Sequence, residues 1–355
     1  MADAVARHRA AGERADLAAR GQKLVELGPG LLVALVVAVV ATLLGRLVPI
    51  VGGPVFGILV GALAAAVIPG LRGQVWQPGF AVASKLVLQL SIVVLGTGLS
   101  LTEVVHVGGG SLPVMLGTLA VALLGAWLIG RLLRLDGDTR TLIGVGTGIC
   151  GASAIAATTA VIDAAEADIA YSVGTIFTFN IAAVLLFPPI GHLLGMGSHA
   201  FGLWSGTAIN DTSSVVAASF AYGGDAGSYA IVVKLTRTLM IIPIVIVLAV
   251  LRAKKRAGGE FRLAAMPWRR IVPLFLVGFL VAATLDSVGL IPTSWHGTLS
   301  VVGTFLITTA LAGIGLSLRF STMRRAGVRP LLLGAILWVA VAATSLGLQA
   351  VTGTL

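Results

Sequence analysis

Between Leu31 and Gly45 the chain reads LLVALVVAVVATLLG without a single charge, and apolar runs of this kind recur to its C-terminus. In lipid such a run has no water to satisfy its N–H and C=O groups, so it must close its hydrogen bonds within itself as a helix. A crossing takes roughly 20 residues. On that rule eleven spans are predicted, at 29–47, 54–70, 80–100, 110–132, 141–163, 169–191, 201–222, 228–251, 271–289, 298–317 and 329–351. Only 11% of the residues are charged, against about 25% in soluble domains. A chain with a mean hydropathy of +1.03 has no water-facing shell, and the fold class is an all-α integral membrane protein.

The basic residues orient it. With the N-terminus inside, one face collects Arg7, Arg9, Arg14, Arg20 and Lys23 of a polar tail (1–28), then Arg72, then Arg131, Arg134 and Arg140. The same face takes seven basic residues between Arg252 and Arg270, then Arg319, Arg324, Arg325 and Arg329. Outside stands Arg46 alone, while Asp163, Glu166 and Asp168 fall in an outer loop. This bias predicts a multi-pass protein of the bacterial inner membrane with a cytoplasmic N-terminus and an extracytoplasmic C-terminus. The tail lacks the form of a signal peptide. Residues 29–355 read as one transporter domain, with 252–270 a basic cytoplasmic linker between two bundles.

Several classes fall away. One cysteine, Cys150, permits no intrachain disulfide and no cysteine-rich metal site, and the five histidines have no metal-ligand spacing. The net charge of +10 sits beside hydrophobic spans, which explains it without nucleic acid. The chain holds no HExxH, no GxSxG, no phosphate-binding P-loop and no paired carboxylates in a span, so neither an enzyme nor a cofactor is expected. An anion channel is the nearest alternative, but a selectivity filter needs symmetric copies around an axis.

Two internal matches stand out. LGTGLSLTEV (95–104) resembles AGIGLSLRFS (312–321), in spans of opposite direction, as an inverted duplication would leave. GTGICGASAIAA (146–157) resembles GTAINDTSSVVA (206–217), nested inside the first pair and readable as convergence on one task. Chance similarity between glycine-rich apolar segments is the plain alternative for both.

The second pair carries the candidate site. Gly146, Thr147, Gly148, Cys150, Gly151 and Ser153 on one segment, and Thr207, Asn210, Thr212 and Ser213 on the other, cluster small and hydroxylated residues where a spanning helix is weakest. A break there is tolerated where it lines a polar cavity, and a helix resuming beyond it aims free N–H groups at an anion. Close Gly/Ser packing is the bland reading. Lys234 and Arg237, three residues apart on one helix face, add two intramembrane cations. Asp211 is the one carboxylate near a span centre; it is the candidate ion-coupling residue, or else a plain ion-pair partner for Arg237 or Lys234. Asn180 lines the same cavity or bridges two helices. Lys85 reads as a snorkelling lysine, Asp286 as interfacial, and Cys150 as a buried inert thiol.

The ordered motifs GTGICGASAIAA, FGLWSGTAINDTSSVVAAS and VVKLTRTLMIIPI, with GPVFGILVGAL earlier and GIGLSLRF later, resemble the YeiH-like bacterial membrane proteins labelled sulfate exporters. The similarity covers most of 29–351. It implies kinship with the cation/proton antiporter and bile-acid symporter superfamily, hence inverted repeats, panel and core bundles, discontinuous crossing helices and often a homodimer. The chain departs from that pattern, with Asn210 in place of a histidine and Ala160 in place of a proline. The expectation is a secondary active transporter that exports a small sulfate- or sulfonate-like anion coupled to a proton or sodium ion. A sodium- or proton-coupled organic-anion symporter is the variant reading.

Overall fold

The computed structural model describes residues 26–47, 52–255, 273–317 and 327–355. The tail to residue 25, most of the basic linker, and Arg319, Arg324 and Arg325 lie outside these. Every regular element among the described residues is helical. We number them α1 Glu26–Leu47, α2 Gly52–Val67, α3 Gln77–Gly96, α4 Leu101–Leu132, α5 Gly137–Gly148, α6 Ala152–Ile162 and α7 Glu166–Leu193. There follow α8 Ser198–Ala208, α9 Thr212–Tyr222, α10 Ala226–Thr238, α11 Ile241–Lys255, α12 Leu274–Ser287, α13 Thr293–Ser317 and α14 Val328–Thr352. Among the described residues seven segments are long and apolar enough to cross a membrane: α1, α3, α4, α7, α13, α14, and α10 with α11 as Ala226–Arg252. The chain is an integral membrane protein.

The chain divides into two compact units. In the first, α1, α2, the start of α3 and the end of α13 pack through small residues. A Cβ at Gly57 would meet Thr308 O at 2.8 Å, and one at Gly61 would meet Ala312 O at 2.6 Å. Two glycines four apart let the α2 and α13 backbones approach as closely as helices do in lipid, where van der Waals contact drives association. Ala34, Phe80, Ala83, Ala312 and Leu316 form the core of this unit.

The second unit runs from Ile92 to Gly303 and again over the C-terminal helix. Here α4 and α14 pack antiparallel: Leu333, near the start of α14, meets the α4 end at Gly130, while Leu348 meets Gly117. Trp127 and Arg131 close α4 with a ring–cation contact of 6.0 Å, an arrangement at home at a membrane interface. Between these two helices and α7 sits a core containing Ala122, Ala183, Phe187, Phe201, Trp204, Ile209 and Val341, with Phe187 stacked on Trp204 at 4.2 Å.

Two predicted spans differ in kind from the rest. Segment 141–163 is two half-helices, α5 and α6, and they fold back on each other. Thr139, in the first turn of α5, hydrogen-bonds Asp168 in the first turn of α7, and Ser172 Oγ donates to Thr139 O at 3.3 Å. Asp138 pairs with Arg252 at the end of α11. A continuous pass would leave the start of α5 and the start of α7 about 30 Å apart. A Cβ at Gly146 would also meet Ile155, nine residues on, at 3.1 Å. Segment 201–222 is likewise a hairpin of α8 and α9: Tyr222, at the end of α9, donates to Met196 O just before α8, and its ring stacks on Phe201 at 3.8 Å. His192, ending α7, stacks on Tyr222 at 4.1 Å. The first hairpin therefore enters beside the start of α7 and the second beside its end. The expected single passes at 141–163 and 201–222 are corrected to two hairpins entering from opposite ends of α7. Hydropathy misses this because a returning pair of half-helices buries the same residues as one pass. The same geometry moves Asp163, Glu166 and Asp168 to the end of the unit that holds Arg131, Arg140 and Arg252, instead of the opposite one.

Candidate functional site

Each half-helix, of 11 or 12 residues, is about 17 Å long, half a hydrocarbon core. The hairpin tips, 149–151 and 209–211, meet at mid-depth. At the first tip Gly151 N donates to Gly146 O at 2.9 Å, ending α5, and Gly151 has φ +68°, a conformation that suits glycine. A Cβ there would stand 3.1 Å from Asp211 Cβ at the second tip. The second tip is extended through Ile209 and Asp211 (φ −85° and −99°). Asp211 is the N-cap of α9: its Oδ2 accepts from Ser213 Oγ and from Ser214 N at 3.3 Å.

The two cations of α10 stand at these tips, both fully buried. Lys234 Nζ donates to Ile149 O and to Ile209 O, each at 2.8 Å. Arg237 Nη2 donates to Thr147 O at 2.9 Å. All three acceptors lie at C-terminal ends of α5 and α8, where carbonyls lack helical partners and the helix carries partial negative charge. Inserting a Lys or Arg at mid-membrane costs roughly 2.5–3.5 kcal/mol, and each charge-assisted bond returns roughly 1.5–3 kcal/mol. The three carbonyls thus account for most of the cost of placing both charges there. Among the described residues neither cation is within ion-pair distance of a carboxylate. The Asp211 pairing considered from sequence is corrected: Asp211 serves the N-terminus of α9 while the cations serve the opposite helix ends.

The other predicted residues divide by location. Gly146 and Gly148 are packing positions, against Ile155 and Ile176 and against Leu119. Cys150 is buried among Leu119, Val145, Ala154 and Ile241. Ser153 is exposed on the first turn of α6, and Thr212 and Ser213 are half-buried on the first turn of α9. Asn210 is buried, its Oδ1 unpartnered among the described residues. Asn180 is buried in α7, both polar atoms unpartnered among the described residues, at about the tips' depth by its register from Ser172. Thr207 points elsewhere: its hydroxyl bonds Leu203 O at 2.6 Å and Ser345 of α14 at 2.7 Å, and Gln349 joins Ser345 at 3.2 Å. Sequence reasoning missed Ser345 and Gln349, although two polar residues four apart on one face of an apolar span were a signal. It also missed the Ile149 and Ile209 carbonyls, for which side-chain identity gives no signal.

Among the described residues Arg237 Nε and Nη1 are buried without a partner, as is Asp211 Oδ1. The tips thus gather two cations, one carboxylate and two helix N-termini around unengaged polar atoms. A separate cavity of about 350 Å³, at the end where α8 and α10 begin, is lined by Glu103, His199, Asp225, Tyr229 and His296. His296 pairs with Asp286 at 2.7 Å.

A family profile described as conserved hypothetical protein 698 matches residues 29–334. The chain is also 43% identical over 329 residues to a UPF0324 membrane protein of Streptococcus pyogenes serotype M18, covering 90% of this chain and 96% of that one. The chain belongs to the UPF0324 membrane protein family. UPF0324 membrane proteins of Streptococcus pneumoniae serotype 4 (39% identical; 92% and 97% covered) and Streptococcus agalactiae serotype V (38%; 92% and 98%) align over nearly their whole lengths as well. The family match ends at Gly334, just inside α14, so it includes both hairpins and α10.

Proposed function

We propose that the chain is a secondary active transporter of a small oxyanion, sulfate- or sulfonate-like, working in the bacterial inner membrane. Its hairpins form an inverted pair, with nine crossings and two re-entrant hairpins in place of eleven crossings. The odd count keeps the N-terminus inside and the C-terminus outside, as the basic residues require. The segments 146–157 and 206–217 are then the two halves of this inversion, which favours a duplication over convergence. Broken helices at the midplane of inverted repeats are a recurrent way to build an ion and substrate site.

The observation that carries the anion reading is Arg237: a fully buried guanidinium bonded to Thr147 O beside the first hairpin tip, with Nε and Nη1 free among the described residues. The partial charges of the two half-helix C-termini and the two N-termini oppose one another. What remains is two cations against one carboxylate, so the meeting point favours negative charge. The donors come from the α6 and α9 N-termini, Arg237 and the Ser153 and Ser213 region. Asp211, half-buried beside them, is the carboxylate for ion coupling, and export is the direction the family resemblance implies.

The test is counterflow in proteoliposomes with sulfate, sulfite, sulfonates and small carboxylates. We expect saturable exchange of at least one oxyanion, with its apparent affinity weakened about ten- to a hundred-fold in Arg237→Ala. A conductance that neither saturates nor exchanges would replace the transporter with a channel, and exchange unaffected by Arg237→Ala would remove the anion site.

A further inference from the structure

The second match places Ile149 and Ile209 at equal positions, sixty residues apart, and one atom, Lys234 Nζ, bonds both their carbonyls. In broken-helix transporters, unwound carbonyls and half-helix C-termini are the groups that hold a coupling cation. Each half-helix C-terminus carries about half a negative charge, so the two ends together call for about one positive charge. The Lys234 ammonium supplies one. It stands at hydrogen-bonding distance from both tips, fully buried, and has no carboxylate within ion-pair distance among the described residues. Being tethered to α10, it bears none of the entropy cost of capturing a free ion.

We infer that the carbonyls of Ile149 and Ile209 form a monovalent-cation seat permanently occupied by Lys234, and that the protein consequently binds and needs no sodium ion at the hairpin tips. The coupling consequence rests on the transporter reading above; the seat itself does not, and its test uses no substrate.

The experiment is thermal unfolding of the purified full chain, followed by tryptophan fluorescence, in choline, sodium, potassium or methylammonium chloride. Chloride is held constant, so an anion site is equally filled in every arm and the failure of the anion reading leaves the comparison intact. Wild type is expected to unfold at one temperature in all four salts. Lys234→Ala, which empties the seat, is expected to unfold on the order of 10 °C lower in choline. It should recover saturably with methylammonium, sodium or potassium. Lys234→Met, which fills the space without charge, should fall as far and recover with none of them. A saturable sodium stabilisation of wild type would overturn the inference, and so would a Lys234→Ala protein that no cation stabilises. Should Lys234→Ala fail to accumulate, Lys234→Gln decides: an amide donates to the carbonyls without charge, so a loss of stability supports the seat and wild-type stability overturns it.

Discussion

The carbonyls of Ile149 and Ile209, on hairpins that enter from opposite ends of α7, accept hydrogen bonds from the same Lys234 Nζ at 2.8 Å each. One α10 side chain thereby holds both tips together. Three residues on, Arg237 binds Thr147 O and keeps two nitrogens unengaged. The cation nearer both tips is committed to main chain; the other retains capacity for a ligand.

Arg237 substitutions follow from that division. Losing a charge-assisted bond in a dry site costs roughly 1.5–3 kcal/mol, so Arg237→Ala should weaken oxyanion affinity about ten- to a hundred-fold in equilibrium binding or counterflow. Arg237→Lys keeps the charge but loses the planar donor set, and should also bind more weakly. The double substitution Arg237→Gln with Asp211→Asn should not restore transport, because the two side chains form no pair. Restoration would show a functional charge pair and defeat the site as drawn.

Asp211 can be separated into cap and charge. Asn is as good an N-cap as Asp, whereas Ala removes the cap at a cost of about 0.5–2 kcal/mol. Asp211→Asn should therefore unfold close to the wild-type temperature while altering transport rate and its dependence on an imposed proton gradient. Asp211→Ala should lose stability as well. Unchanged coupling in Asp211→Asn would remove Asp211 from the coupling role.

Gly151 is predicted to resist substitution. Its φ of +68° disfavours any side chain, and a Cβ would press within 3.1 Å of Asp211 Cβ. Gly151→Ala should cost about 1–3 kcal/mol by denaturant or thermal unfolding and displace the second tip, lowering counterflow as well. Gly148→Ala would meet the flexible Leu119 side chain at 2.9 Å and Ala122 Cβ at 3.3 Å, but within a regular helix, and should cost less. Equal effects would mean that conformation at the tip is not what constrains position 151.

The hairpins make a topological prediction. In a background with Cys150→Ala, single cysteines at Asp163 and Glu166 should react with an impermeant maleimide from the cytoplasmic side. Cysteines at Asp225 and Thr354 should react from the periplasmic side. Labelling of Asp163 and Glu166 only from outside would restore two full passes at 141–163 and 201–222 and dissolve the re-entrant hairpins.

The apolar runs and their scarcity of charge determined that this chain lives in a bilayer as helices, since no other arrangement satisfies the backbone there. The Gly-Thr repeats at 146 and 206 located both breaks, and Lys234 and Arg237 announced themselves by their cost in lipid. Only tertiary structure decided which way the chain runs after each break. An apolar segment of 22 residues has the same hydropathy whether it crosses once or turns back halfway; contacts such as Thr139 with Asp168 and Tyr222 with Met196 distinguish the two. Tertiary structure also decided what the cations touch. Their acceptors are main-chain carbonyls of Thr147, Ile149 and Ile209, groups that every residue carries, and only the ending of a helix leaves them free to bond.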